Sequence, residues 1–150
     1  HDAKEYGSIL TVTPQDWSVL YDRFAEITED INMSREIALR ELLPLVQVAE
    51  ALAQKYDVIV TNPPYLGSSR FDAALDKYVK IYFQDVKADL SMVMFKKMLS
   101  YQLKKNGFIA FITTSSWMFL SSFEKIRTTM FENASIDSLL FLLIYSKTNR

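Results

Sequence analysis

The sequence contains no cysteine, and its one histidine is His1, the first of 150 residues. Without thiols the chain can form neither disulfides nor thiolate-ligated zinc, and it has no cysteine nucleophile. A single terminal histidine also excludes most histidine-based acid–base catalysis. Any chemistry must therefore rest on amides, hydroxyls, carboxylates, amines and backbone groups, and we expect no metal site.

An excess of charge of one sign is also lacking, because 17 basic and 18 acidic residues give a formal net charge of −1. No long-range field would draw such a chain to a polyanion. Long apolar runs and an amino-terminal signal pattern are missing too, which predicts a soluble cytoplasmic protein without membrane spans. With 49% hydrophobic residues, we expect one core and one domain or part of one.

The ends of the sequence are unusual for a complete protein. The first residue is not methionine, and an apolar run at residues 139–144 gives way abruptly to a polar end. We therefore expect an excerpt from a longer polypeptide. An isolated piece of a parallel sheet would expose a strand edge and an apolar face, which predicts self-association.

The most informative feature is Asn62-Pro63-Pro64-Tyr65, which directly follows the apolar run at residues 56–60. Such a run is typical of a buried strand, and open α/β sheets bind ligands at the carboxyl ends of their strands. The motif combines an amide, two prolines that leave carbonyls without nearby N–H groups, and an aromatic face. That set suits a planar base carrying an amine, although Asn and Pro are also common turn formers.

Before the motif, the pattern predicts two helices. Thr13 is expected to cap a short amphipathic helix, and residues 34–55 form a second helix that Pro44 should kink or split. After the motif, residues 66–86 are expected to form a long, partly helical excursion.

The remaining pattern alternates helices with strands. Asp89 is expected to cap a helix that Asn106-Gly107 ends, and Ser121 should open a capping box for a helix through about residue 131. After the strand that ends near residue 60 or 61, further strands are predicted at residues 108–113 and 136–144. This order is that of a parallel α/β unit.

The run at residues 55–68 resembles the catalytic motif of S-adenosylmethionine-dependent adenine-specific DNA methyltransferases, and among them the BREX-type, PglX-like enzymes of phage defence. Further matching features lie at Asp89-Leu90, residues 105–113 and residues 116–127. The likeness covers about residues 50–142.

The resemblance implies a fold and a division of the chain. The fold is α/β, a partial Rossmann-like methyltransferase domain with three αβα layers and a mostly parallel sheet. Residues 1–54 are then a helical lead-in, and residues 55–150 form the second half of a methyltransferase catalytic domain.

The resemblance also implies roles for the motif. In the family, the target adenine flips out of double-stranded DNA, and its amine donates to the side-chain carbonyl of Asn62 and the backbone carbonyl of Pro63. Pro64 completes the catalytic motif, and Tyr65 stacks on the base. S-adenosylmethionine is the implied methyl donor, and other defence-system subunits are possible partners.

The sequence departs from the family pattern in two places. A glycine-rich cofactor loop should precede the motif, but residues 1–54 contain one glycine, Gly7. The cofactor-binding residues therefore stay unknown, and the target-recognition domain expected downstream is also missing. The resemblance predicts that this chain alone is inactive.

Other functions share the same motif. It also serves methyltransferases that act on RNA bases or on protein glutamine amides, which present the same planar donor geometry. The long excursion and residues 116–127 favour DNA by resemblance. A hypothesis of another class is a non-catalytic structural or interaction module that has lost its cofactor site.

Several further residues are better explained by structure than by catalysis. Asp89 is expected to be a helix cap rather than a cofactor ligand. The lysine pairs at residues 96–97 and 104–105 are expected on a solvated helix face rather than on phosphates. Apolar packing is expected for Met92, Met94, Met98, Trp117, Phe119 and Phe123.

Overall fold

The computed structural model describes residues 6–29 and 32–140. Its helices are α1 (Trp17–Glu29), α2 (Met33–Ala53), α3 (Ala73–Tyr82), α4 (Leu90–Lys97), α5 (Ser116–Phe119) and α6 (Glu124–Asn133). Its strands are β1 (Tyr56–Thr61) and β2 (Leu103–Phe111). Short 3₁₀ turns lie at Gly7–Ile9, Ser68–Arg70 and Ser121–Phe123, and a π-helical turn at Met98–Gln102 joins α4 to β2. The predicted alternation of helices and strands is confirmed from β1 to α6.

The two strands pair in parallel, with Thr61 beside Phe111 and Ile59 beside Ile109. A parallel pair needs a long crossover, and here the connection carries α3 and α4. The carboxyl ends of β1 and β2 therefore lie side by side, and Ile112 N donates to Thr61 O just beyond them at 3.2 Å.

The prediction that Asn106-Gly107 ends a helix is wrong, because both residues lie inside β2. The register shifts there: Tyr56 pairs with Leu103, whereas Val58 pairs with Phe108. The register shift is accommodated at Asn106, whose φ of 65° is a left-handed conformation that Asn tolerates better than most residues. A Cβ on Gly107 would lie 2.8 Å from Asp57 O, so glycine permits the close approach of the strands.

Only one face of the sheet is covered by described residues. Val58, Val60 and Phe108 are exposed on one face, with Val60 at 75%, whereas Ile59 and Ile109 are half-buried on the other. The core comprises Ile9, Leu75, Val79, Phe83, Val86, Met92, Val93, Trp117, Phe123, Ile126 and Met130. This is a mixed α/β arrangement compatible with part of a three-layer αβα domain.

Helices α1 and α2 pack against each other and contribute no residue to the core cluster. Tyr21 Oη donates to a Glu50 carboxylate oxygen at 2.6 Å, which joins the two helices. Pro44 lies within α2 but does not split it. No helix formed by the described residues, α2 included, is long and apolar enough to cross a membrane.

Two predicted caps are wrong. Asp16, rather than Thr13, accepts from Val19 N at 3.4 Å at the start of α1. Ser121 begins a 3₁₀ turn, and α6 starts at Glu124 without a side-chain cap. A hydroxyl or carboxylate near a helix start suits capping, but the pattern does not fix which residue lies in the capping geometry.

Two predicted boundaries also change. Helix α4 ends at Lys97, and β2 begins at Leu103 rather than at residue 108. Residues 136–140 are not a strand, and the rest of the predicted third strand, 141–144, lies outside the described residues.

Candidate active site

The motif lies where the sequence predicted it, at the carboxyl end of β1. Asn62 directly follows the last strand residue, Thr61, which is paired with Phe111 of β2. Asn62 is exposed, whereas Pro63 is buried and anchors the chain as it leaves the sheet. The motif therefore presents its amide at the shared carboxyl edge of both strands.

Tyr65 turns back onto Asn62. Its hydroxyl donates to Asn62 Oδ1 at 2.5 Å, while 43% of the Tyr65 surface stays exposed. The aromatic face and the amide oxygen are thereby held side by side. The oxygen expected to accept an adenine amine already accepts a hydrogen bond within the motif, a contact that the sequence did not reveal.

The backbone of the motif offers a second acceptor. Within residues 6–29 and 32–140, no donor reaches the carbonyl oxygen of Pro63. Pro64, next in the chain, has no N–H that could compete for it. Asn62 Oδ1, which also accepts from Tyr65, and Pro63 O are thus two candidate acceptors from adjacent residues.

The segment after the motif is fixed to the start of α4. Leu66 O accepts from Leu90 N at 2.9 Å, and Ser68 N donates to Ala88 O at 3.0 Å. Gly67 forms an antiparallel bridge with Asp89 between these two bonds. Because both ends of the motif are held, by β1 and by α4, its backbone carbonyls have a defined direction.

Asp89 is a helix cap, as predicted. Its Oδ1 accepts from Ser91 N at 2.8 Å and from Ser91 Oγ at 2.5 Å. Ser91 is fully buried and lies 3.4 Å from Thr113 Oγ1, just past the end of β2. The cap therefore ties α4 to the carboxyl end of β2, beside the motif.

The aromatic residues after β2 divide between packing and exposure. Trp117 and Phe123 are buried in the core, which confirms the packing prediction for both. Phe119 is 75% exposed, so the packing prediction is wrong for it. Arg127 stabilises this segment by donating to Trp117 O and Leu120 O, both at 2.7 Å.

The packing prediction is confirmed for one of the three methionines in and after α4 and is met only in part for the other two. Met92 belongs to the core, whereas Met94 is half-buried and packs against it. Met98, in the π-helical turn, is also half-buried.

The lysine pairs are not simply a solvated helix face. Lys96 is half-buried and paired with Asp85, and Lys97 is buried with 1% of its surface exposed. Lys104 and Lys105 belong to β2 rather than to a helix, and Lys104 pairs with Asp57 at 2.9 Å. One signal for Lys97 was available, since it follows the buried Val93 by four residues on the same helix face.

The described residues do not form a complete cradle for S-adenosylmethionine. Gly7 lies in a 3₁₀ turn, Gly67 is bridged to Asp89, and Gly107 lies within β2. None belongs to a glycine-rich loop. In the same part of the chain, no group of three or more His, Asp or Glu residues could hold a metal ion.

Known proteins match this chain over most of its length. The Eco57I restriction-modification methylase family matches residues 4–146. The chain is 36% identical over 143 residues to the adenine-specific methyltransferase BrxX of Escherichia coli O9:H4 (strain HS), covering 93% of this chain and 12% of that protein. It is 44% identical over 90 residues to the adenine-specific methyltransferase PglX of Lacticaseibacillus casei (strain Zhang), covering 60% of this chain and 7% of that protein.

These matches confirm the resemblance to adenine-specific methyltransferases that the sequence motif indicated. The chain spans about a tenth of the length of the curated relatives it matches. The family model extends beyond the motif on both sides, so the likeness does not rest on four residues. The chain belongs to the Eco57I restriction-modification methylase family.

Proposed function

We propose that the full-length polypeptide carrying this chain transfers a methyl group to the exocyclic amine of adenine in double-stranded DNA, within a restriction-modification or phage-defence system. The observation that carries the proposal is the pair of acceptors at the end of β1, Asn62 Oδ1 and the carbonyl of Pro63. Adenine-specific relatives and the family match support the same chemistry.

The proposed mechanism needs no strong base. The adenine amine is conjugated with its ring, so its lone pair is a poor nucleophile. Hydrogen bonds from the amine to Asn62 and Pro63 favour a tetrahedral nitrogen and release the lone pair from the ring. The methylated nitrogen is positively charged and therefore acidic, and it loses one proton to solvent water.

Tyr65 is proposed to hold the flipped base by stacking. Base–aromatic stacking contributes about 1–3 kcal/mol, which offsets part of the unstacking energy of the duplex. The 43% exposure of Tyr65 leaves ring surface available to a base. We also propose that Pro64 stiffens the loop between the acceptors and the ring.

S-adenosylmethionine is proposed as the source of the methyl group, which it supplies as a sulfonium electrophile. Its binding residues are proposed to lie outside this chain, as is the target-recognition domain. On this proposal, residues 1–54 are a helical lead-in and residues 55–150 the second half of the catalytic domain.

The test is methyl transfer from labelled S-adenosylmethionine to unmethylated duplex DNA by the full-length polypeptide, with defence-system partner proteins added in a parallel reaction. We expect label on adenine, and an Asn62→Ala loss of about 10²–10³-fold, the usual effect of removing one positioned hydrogen-bonding group. Asn133→Ala is the matched control, because Asn133 bonds Thr129 O at the end of α6.

Each other outcome has a defined meaning. Label on RNA or on protein glutamine, but not on DNA, would keep the acceptor chemistry and reject the substrate. Absence of transfer to any of these would favour a non-catalytic module. Equal activity of the Asn62→Ala and Asn133→Ala variants would reject the role of Asn62.

A further inference from the structure

Lys97, the last residue of α4, is buried without a carboxylate partner. Its Nζ lies 3.3 Å from Thr11 Oγ1 and 5.2 Å from the centre of the Tyr101 ring. No Asp or Glu of the described ranges, 6–29 and 32–140, forms an ion pair with it. An ammonium has three N–H donors, so one long hydrogen bond leaves two of them for another acceptor. Burial accordingly lowers the pKa of the Lys97 amine.

A cavity of about 290 Å³ is lined in part by Lys97. Its lining includes the lysines Lys55 and Lys97 and the hydroxyl residues Thr11, Thr13 and Ser100, beside the apolar Val12, Pro14, Leu52 and Ala53, and no acidic residue. Ammonium and hydroxyl groups are the donors that bind oxyanions in proteins. The cavity is therefore complementary in charge to an anion, and a bound anion would offset the cost of burying Lys97.

The cavity lies far from the proposed catalytic edge. Lys55 immediately precedes β1 and Tyr101 lies two residues before β2, so the cavity is at the amino ends of the strands. Asn62 follows the carboxyl end of β1. Six strand residues span roughly 20 Å, which separates the two places.

We propose that this cavity binds a small free oxyanion of the phosphate class, held by Lys97 with Lys55 and the hydroxyls of Thr11 and Ser100. The volume of about 290 Å³ lies just below the roughly 300–1,000 Å³ of pockets for drug-sized ligands, which favours a small ion over a nucleotide. The proposal does not depend on methyl transfer, because none of its residues belongs to the motif.

The test is hydrogen exchange, followed by mass spectrometry, in the full-length polypeptide. Inorganic phosphate is compared with chloride at equal pH and ionic strength. A ligand at ten times its dissociation constant slows exchange through local opening by about tenfold, so we expect slowing of that order in peptides covering residues 52–55 and 97–101.

Three variants and a second ligand decide the result. Lys97→Met should abolish the phosphate effect, Lys97→Arg should retain part of it, and Lys105→Met, which changes an exposed lysine of β2, should leave it intact. Equal slowing in Lys97→Met, or none in the unmodified protein, would overturn the proposal. Protection by a short DNA duplex but not by phosphate would overturn it too, because the ligand would then be nucleic acid.

Discussion

The hydrogen bond from Tyr65 Oη to Asn62 Oδ1 predicts that removal of the Tyr65 hydroxyl raises activity rather than lowering it. If Asn62 accepts the adenine amine, the amine competes with the Tyr65 hydroxyl for Asn62 Oδ1, which the hydroxyl already contacts at 2.5 Å. Tyr65→Phe removes the hydroxyl and keeps the ring, so it frees the acceptor without loss of stacking. Tyr65→Ala removes both. We expect the Tyr65→Phe variant to methylate DNA faster than the parent and the Tyr65→Ala variant to methylate it more slowly.

The magnitudes follow from the two interactions. A neutral hydrogen bond contributes about 0.5–1.5 kcal/mol net, and the 43% exposure of Tyr65 places this one in the lower half of that range. Its removal should raise kcat/KM about two- to fivefold. Loss of a stacking contact worth about 1–3 kcal/mol should lower kcat/KM by roughly 5- to 150-fold in Tyr65→Ala.

The measurement is kcat/KM for labelled methyl transfer to duplex DNA by the full-length polypeptide. This ratio is referred to the free enzyme, in which the Tyr65–Asn62 bond is intact. Tyr82→Phe, at an exposed tyrosine of α3, is the matched control and should have no effect. If Tyr65→Phe lost as much activity as Tyr65→Ala, the hydroxyl would be holding Asn62 in its productive orientation, and competition between Tyr65 and the adenine amine would be ruled out.

Three further predictions concern the free energy of unfolding, which is measured by denaturation of the full-length polypeptide. Gly107→Ala should destabilise by about 1–3 kcal/mol because its Cβ would meet Asp57 O at 2.8 Å, whereas Asn106→Gly should stay within about 1 kcal/mol of the parent; equal effects would reject the bulge. Asp89→Ala should cost about 1–3 kcal/mol, because it removes the acceptor of the buried Ser91 N, and Asp89→Asn should cost less; loss of activity without loss of stability would instead favour a cofactor ligand. Because burial lowers the pKa of Lys97, the unfolded protein binds more protons than the folded protein between the lowered pKa and the ordinary lysine pKa. Stability should therefore rise as the pH approaches the ordinary lysine pKa; an unchanged slope in Lys97→Met would contradict this.

Local patterns predicted the motif but not every element around it. A strand followed by two prolines is defined by neighbouring residues, so the position of Asn62 could be read directly from the sequence. Asn106-Gly107 was ambiguous, because a helix end and a strand bulge both use a left-handed Asn or a glycine. The structure resolves the ambiguity through pairing with β1, a contact between residues about fifty positions apart.

Lys97 illustrates why charge patterns alone mislead. A lysine pair at the end of an amphipathic helix usually faces water, but Lys97 lies on the same side of α4 as the buried Val93. Its burial is completed by Thr11 and Tyr101, which come from distant parts of the chain. Only the tertiary arrangement brings these residues together.

The charge distribution separates base capture from DNA affinity. The chain has a net charge of −1, and three of the four paired lysines are not free to reach a DNA backbone: Lys96 pairs with Asp85, Lys104 pairs with Asp57, and Lys97 is buried. Affinity for the DNA backbone depends on the number of phosphates that basic groups neutralise. The motif supplies acceptors and an aromatic face but no positive charge. On the proposed function, the motif therefore orients a base that has already been delivered, and the attraction of the duplex comes chiefly from residues beyond the motif.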